Sequence, residues 1–195
     1  MNLANKVTLI RIFLAPVIMF VLLNGIIPYG AFAAAAIFIL ATLTDKLDGY
    51  IARKQQNVTR FGEIMDPIAD KILISAAIIS LVQLDALSPW IAFLIISREF
   101  AVTGLRLIAV EEGRDIKVNI WGKIKTVAQI IMVIVLIIEL AVKSGPSPPA
   151  SWFQSLVYIY PATIISSLSL MVAVFITLIS GIFYFYEYIR FMKVS

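Results

Sequence analysis

Ala41-Thr42-Leu43-Thr44-Asp45-Lys46-Leu47-Asp48-Gly49-Tyr50-Ile51-Ala52-Arg53 is the stretch on which the fold turns. Before it, from about Tyr29 to Thr44, runs an uncharged apolar segment; after it the chain stays polar to Asp70. Nothing between Thr44 and Arg53 obviously breaks a helix, so the apolar helix is expected to continue through the acids. Residues three and four apart are neighbours on a helix. Asp45 and Asp48 then share a face with Gly49 and Ala52, two very small residues, and Arg53 follows one turn after Gly49. Glycine weakens a helix interior by roughly 1 kcal/mol relative to alanine, so Gly49 is expected where a ligand or another backbone comes close. The second half, Gly62-Glu63-Ile64-Met65-Asp66-Pro67-Ile68-Ala69-Asp70-Lys71, repeats the device: Asp66 and Asp70 are four apart. Pro67 suits a first helical position, with Asp66 as the N-cap, or it lies within the first turns of a longer helix; both starts are compatible with the sequence.

Working outward, five more segments have the length of a membrane helix, about 17–25 predominantly apolar residues. They run from about Val7 to Leu23, Asp66 to Gln83, Trp90 to Leu107, Trp121 to Val142 and Ala162 to Tyr186. Loops are marked by Asn24, Gly25, Pro28 and Gly30, by Asp85, Ser88 and Pro89, by the polar run Glu111 to Lys117, and by Gly145, Pro146, Pro148 and Pro149. Trp152, Phe153, Tyr158 and Tyr160 crowd a short segment expected to lie at the membrane–water interface. No small-residue cleavage site follows the first apolar run, which argues against a signal peptide. No loop is long enough for a separate core, so residues 1–195 are expected to form a single all-α integral membrane domain of six transmembrane helices.

Six spans put both termini on one side. With the N- and C-termini cytoplasmic, 15 of the 16 Lys and Arg fall inside and only Lys143 outside, as the positive-inside rule requires. The expected location is the inner (cytoplasmic) cell membrane, multi-pass, with the active site facing the cytoplasm.

Composition agrees. The 195 residues are 61% hydrophobic and 14% charged, against roughly 45–50% and 25% for a soluble domain. There is no His and no Cys, which excludes disulfides, thiolate or imidazole zinc sites, Ser-His triads and Cys nucleophiles. Any metal must bind through oxygen. The net charge of +4 is better read as orientation and phosphate binding than as nucleic-acid binding. Four carboxylates at one membrane surface repel each other and are costly to desolvate; divalent cations between them relieve both. Two such ions suit displacement at phosphorus.

These residues spell D-x2-D-G-x2-A-R, eight residues, then G-x3-D-x3-D: Asp45, Asp48, Gly49, Ala52, Arg53, Gly62, Asp66 and Asp70. The pattern resembles the signature of the CDP-alcohol phosphatidyltransferase family at every position, and the likeness extends to length and six-span layout. Ser97 to Arg106 and Gly122 to Thr126 further resemble the branch that makes phosphatidylglycerophosphate. The resemblance implies a homodimeric enzyme using Mg²⁺ or Mn²⁺, two ions per site, in phospholipid biosynthesis. It implies Asp45, Asp48, Asp66 and Asp70 as metal ligands and Asp70 as general base. It also implies that Asp48, Gly49, Ala52, Arg53 and Gly62 line the site for the CDP part. Asn5-Lys6-Val7-Thr8-Leu9-Ile10-Arg11 resembles the family's N-x-x-T-x-x-R segment, which places Asn5 and Thr8 near the nucleotide.

The expected reaction is attack of the glycerol 3-phosphate hydroxyl on the β-phosphorus of CDP-diacylglycerol, releasing CMP. The acceptor's phosphate needs cations, and Arg98, Arg106, Arg114, Lys123 and Lys125 lie in or near spans four and five. Arg106, Lys123 and Lys125 are the preferred set, although lysines two apart face one phosphate together only near a helix start. Arg11 is expected either to snorkel to the headgroups or to meet substrate. Glu99 is expected to pair with a nearby Arg or Lys, Pro16 to kink the first span, Gly104 and Gly181 to pack helices, and Tyr184, Tyr186 and Tyr188 to anchor the interface. A relative with another acceptor (inositol phosphate, serine or phosphatidylglycerol) is the nearest competing reading. A cation transporter is a distant one, since its acids belong near the midplane and among repeats. A structural scaffold gives no reason for the acid spacing.

Overall fold

The computed structural model describes residues 3–27, 29–54, 60–111, 120–144 and 161–192. Within these helices the side chains of 3–7, 45–54, 60–64, 66, 67, 107, 109–111, 161, 162 and 187–192 fall outside the description. Six α-helices are described: α1 (Leu3–Leu23), α2 (Gly30–Lys54), α3 (Arg60–Gln83), α4 (Pro89–Glu111), α5 (Ile120–Ser144) and α6 (Pro161–Met192). No strand occurs among the described residues. The expected interfacial segment around Trp152, Phe153, Tyr158 and Tyr160 lies outside them, as do Arg114 and Lys117.

Helices α1, α4, α5 and α6 begin and end within a few residues of an apolar run. α2 continues through Asp45 and Arg53 to Lys54, as the unbroken pattern requires. α3 takes the longer of the two expected courses: it starts at Arg60, so Asp66 is not its N-cap and Pro67 sits inside it, with no N–H to return to the carbonyl of residue 63. α1 is continuous through Pro16. α3 and α4 are joined by a tight reversal. Asp85 takes φ 56°, and the amides of Asp85 and Ala86 reach back to the carbonyls of Val82 and Leu81 at 3.1 and 2.9 Å. This is a Schellman stop, with aspartate in the left-handed place that glycine usually takes.

α1 packs against α2 and α3, α2 against α5, α3 against α4 and α5, and α4 and α5 against α6. Small side chains make the close approaches: Ala34, Ala35, Ala41, Ala76, Ala77 and Ala173 are buried beside Ile18, Phe38, Ile78, Leu81, Ile95, Met132 and Ile137. Several hydroxyls in the bundle return to their own helix. Thr42 donates to the Phe38 carbonyl at 2.8 Å, Ser80 to Ala76 at 2.9 Å and Thr103 to Glu99 at 2.7 Å, so no partner outside the helix is needed. Ala77 is fully buried. Ala77→Leu should overpack the interface and cost about 1–3 kcal/mol, read as a lower thermal midpoint in detergent; an unchanged midpoint would show that the helices have room to spare there.

Polarity is distributed the opposite way from a soluble protein. Trp90, Phe13, Phe93, Ile182 and Met171 are largely exposed, whereas Arg11, Glu99, Lys125, Gln129 and Thr177 are buried. Such an apolar exterior needs an apolar solvent. α5 over Ile120–Lys143 and α6 over Thr163–Tyr186 are long and apolar enough to cross a membrane; Thr8–Leu23 and Gly30–Thr44 are shorter apolar stretches.

Candidate active site

A cavity of about 500 Å³ opens among α1 to α6. Among the described residues, its acids are Asp70 on α3 and Glu99 on α4. Its cations are Arg11 on α1, Lys71 on α3, Arg98 and Arg106 on α4, and Lys123 and Lys125 on α5. Four of the five cations expected at an acceptor phosphate, Arg98, Arg106, Lys123 and Lys125, thus share one cavity with the expected base; the fifth, Arg114, lies outside the described residues.

Asp70 is half exposed, and Nη1 of the buried Arg11 guanidinium donates to its Oδ1. Arg11 therefore does not snorkel to the headgroups: it is turned inward, onto the carboxylate. Thr8, one turn before Arg11, is fully buried and is not part of the cavity lining. The side chains of Asn5, Asp45, Asp48, Gly49, Ala52, Arg53, Gly62 and Asp66 lie outside the described residues, though their positions fall on the described helices α1, α2 and α3. Ala41 and Thr42 line the cavity, and positions 45, 48 and 49 follow them on α2 at helical spacing. Asp66 precedes Asp70 by one turn of α3.

Opposite Asp70, a buried polar network joins α4, α5 and α6. Glu99 Oε1 accepts from Lys125 Nζ, from Gln129 Nε2 at 3.2 Å and from Arg98 Nη1 at 3.3 Å. Gln129 Nε2 also lies 3.2 Å from Thr177 Oγ1. Arg98 Nη2 donates to Ser180 Oγ at 2.6 Å, and the guanidinium carbon lies 5.7 Å from the Tyr184 ring centre, within cation–π range. Buried Arg98 Nε has no hydrogen-bond partner among the described residues. A Cβ on Gly181 would stand 3.4 Å from Arg98 Cγ, and one on Gly122 only 3.0 Å from the Tyr184 hydroxyl. Trp121 stacks on Phe183 at 6.1 Å beside them. Lys123 is in the first turn of α5. There the two lysines differ in environment, Lys123 exposed and Lys125 buried, yet both line the cavity.

Two expectations are corrected here. Tyr184 is buried under Arg98, not an interfacial anchor, while Tyr186 is exposed. Among the described residues, a Cβ at Gly104 would meet nothing within 4 Å, so no close contact between described helices explains that glycine; Gly181 does pack, against Arg98. Sequence reasoning missed Thr177, Ser180 and Tyr184 as site residues. The available signal was the stripe Thr177-Ser180-Gly181-Tyr184 on α6, polar or small at i, i+3, i+4 and i+7 in the otherwise apolar stretch from Leu170 to Phe185.

The described residues define an all-helical membrane protein whose cavity gathers cationic side chains beside the carboxylates of Asp70 and Glu99. The chain belongs to the CDP-alcohol phosphatidyltransferase family, which it matches over residues 1–189. It is 42% identical, over 100% of this chain and 98% of the relative, to the CDP-diacylglycerol–glycerol-3-phosphate 3-phosphatidyltransferase of Bacillus subtilis (strain 168). The Rickettsia felis protein of the same name is 36% identical over 94% of this chain and 93% of its own length. A probable phosphatidylglycerophosphate synthase of Mycobacterium tuberculosis (strain ATCC 25618 / H37Rv) is 41% identical over 74% of this chain and 68% of its own.

Proposed function

We propose that this enzyme transfers the phosphatidyl group of CDP-diacylglycerol to glycerol 3-phosphate, giving phosphatidylglycerophosphate and CMP. One structural observation carries the reading: among the described residues, Asp70 shares a single cavity with six cations; relatives at 34–42% identity over most of the chain bear that activity in their names. The primary hydroxyl of the acceptor forms the new bond to the β-phosphorus, the bond to the CMP phosphate breaks, and the hydroxyl proton passes to the Asp70 carboxylate. Arg11, whose guanidinium donates to Asp70 Oδ1, holds that carboxylate in place. Arg106, Lys123 and Lys125, with Arg98, and Arg114 as a further candidate, receive the acceptor phosphate, arginine through its planar fork and lysine as a point charge. Asn5, Asp48, Gly49, Ala52, Arg53 and Gly62 serve the CDP part, whereas Thr8, fully buried and off the cavity lining, is left without that role.

Asp45, Asp48, Asp66 and Asp70 would hold two divalent ions, Mg²⁺ or Mn²⁺. The donor set fits: it is oxygen-only, Asp70 opens onto the cavity, and the other three positions lie within one or two helical turns of cavity-lining residues on α2 and α3. Such ions, when bound, neutralise the diphosphate and the charge developing on leaving CMP. Six spans in the inner membrane, cytoplasmic termini, a cytoplasmic cavity mouth and a homodimer complete the proposal. The charge distribution supports this orientation, since Lys143 lies beside Asp85 and Glu139, away from the cation-rich cavity.

CMP release by the purified protein in detergent with Mg²⁺, tested against glycerol 3-phosphate, inositol phosphate, serine and phosphatidylglycerol, should be fastest with glycerol 3-phosphate. Preference for another acceptor would keep the family chemistry and overturn the choice of substrate.

A further inference from the structure

An acid in a cavity meant for an anion needs a reason. Glu99 weakens the pull of the site on a phosphate, yet it stands among the cations, buried, on the cavity wall. Its Oε1 takes three donors at once, from Lys125, Gln129 and Arg98. Lys125 is itself buried, and an ammonium out of water without a counter-ion is costly. Long cationic side chains crowded in one cavity repel one another and lose rotamer freedom when held. Arg98 is fixed from the other side by Ser180 on α6 and by the Tyr184 ring, with Gly181 leaving room for its stem. Its Nε is buried with no hydrogen-bond partner among the described residues.

We propose that Glu99 is a positioning residue of the acceptor site: it holds Lys125 and, together with Ser180, Arg98 in a preset arrangement that an acceptor phosphate enters. This rests on the functional reading above. Glu99 touches no reacting atom. It is the resident counter-ion of Lys125, and the entering phosphate joins it there without the two cations having to be gathered from elsewhere. The energetic return is in acceptor binding, since ordering done before binding is not charged to it.

The test is steady-state kinetics of CMP release in detergent with Mg²⁺, titrating each substrate separately, on wild type, Glu99→Gln and Ser180→Ala. Losing the charged partner of Lys125 and Arg98 should raise the KM for glycerol 3-phosphate by about tenfold or more. The KM for CDP-diacylglycerol should stay within about twofold of wild type, because that substrate does not depend on these two cations. Ser180→Ala removes one tether of Arg98 and keeps every charge; it should raise the same KM by about threefold, and it decides the matter if Glu99→Gln does not fold. An unchanged acceptor KM in the folded variants, or an equal change in both KM values, would overturn the proposal. Wild-type dependence on glycerol 3-phosphate tests the functional reading alone, whereas the ratio of variant to wild-type acceptor KM tests the positioning alone.

Discussion

Asp70→Asn is expected to lower kcat by about 10²–10⁴-fold, the usual worth of a positioned general base, with the CDP-diacylglycerol KM much less affected. The amide keeps the shape of the carboxylate and cannot take a proton. The effect is not purely chemical, because Arg11 is buried and its guanidinium donates to Asp70. Loss of that partner leaves a cation against a neutral group, and a lower thermal midpoint should accompany the loss of turnover. Asp70 is half exposed to the cavity, so the pair is partly solvated and the protein is expected to remain folded. Near-normal turnover by folded Asp70→Asn with Mg²⁺ would remove Asp70 from the role of base.

The second large effect is that of chelation. EDTA should bring CMP release to background, and excess Mg²⁺ or Mn²⁺ should restore it. Asp45, Asp48, Asp66 and Asp70 are four of the 12 acids in the chain, and with no His or Cys the site has only hard oxygen donors. Gathered acids without counter-ions disfavour their own ionisation. Chelation should therefore also shift the thermal midpoint, a readout independent of turnover. Activity that survives EDTA at full strength would contradict the metal assignment and leave the four acids to be explained by pairing with nearby Lys and Arg.

How much of this was legible in the sequence depended on whether the signal was local. Helices α1, α2, α4, α5 and α6 followed apolar runs, because a buried backbone in lipid must bond to itself and a helix does so within one segment. The start of α3 was not legible. Pro67 suits a first turn so well that it masks a helix already seven residues old at that point. The acids at 45, 48, 66 and 70 stood out because charge is rare here and their spacing is helical. The opposing wall of the cavity was harder to read. Lys125 and Arg98 are recognisable as cations, but that both meet one oxygen of Glu99 depends on the packing of α4 against α6 and of α5 against α6, which no local pattern announces. Tyr184 was hidden by company: in the run Tyr184, Tyr186, Tyr188 it reads as an aromatic belt, and only the four-residue step back to Ser180 sets it apart. Arg11 was ambiguous for a similar reason, since a long basic side chain near the start of an apolar run can reach water or a carboxylate, and the nearness of α1 to α3 decides it.

The central claim, phosphatidyl transfer to glycerol 3-phosphate, is tested most directly by supplying the purified protein with CDP-diacylglycerol, Mg²⁺ and radiolabelled glycerol 3-phosphate. Label should enter the organic-extractable lipid mole for mole with CMP released. CMP release without label in the lipid, or no release that depends on glycerol 3-phosphate, would contradict the account.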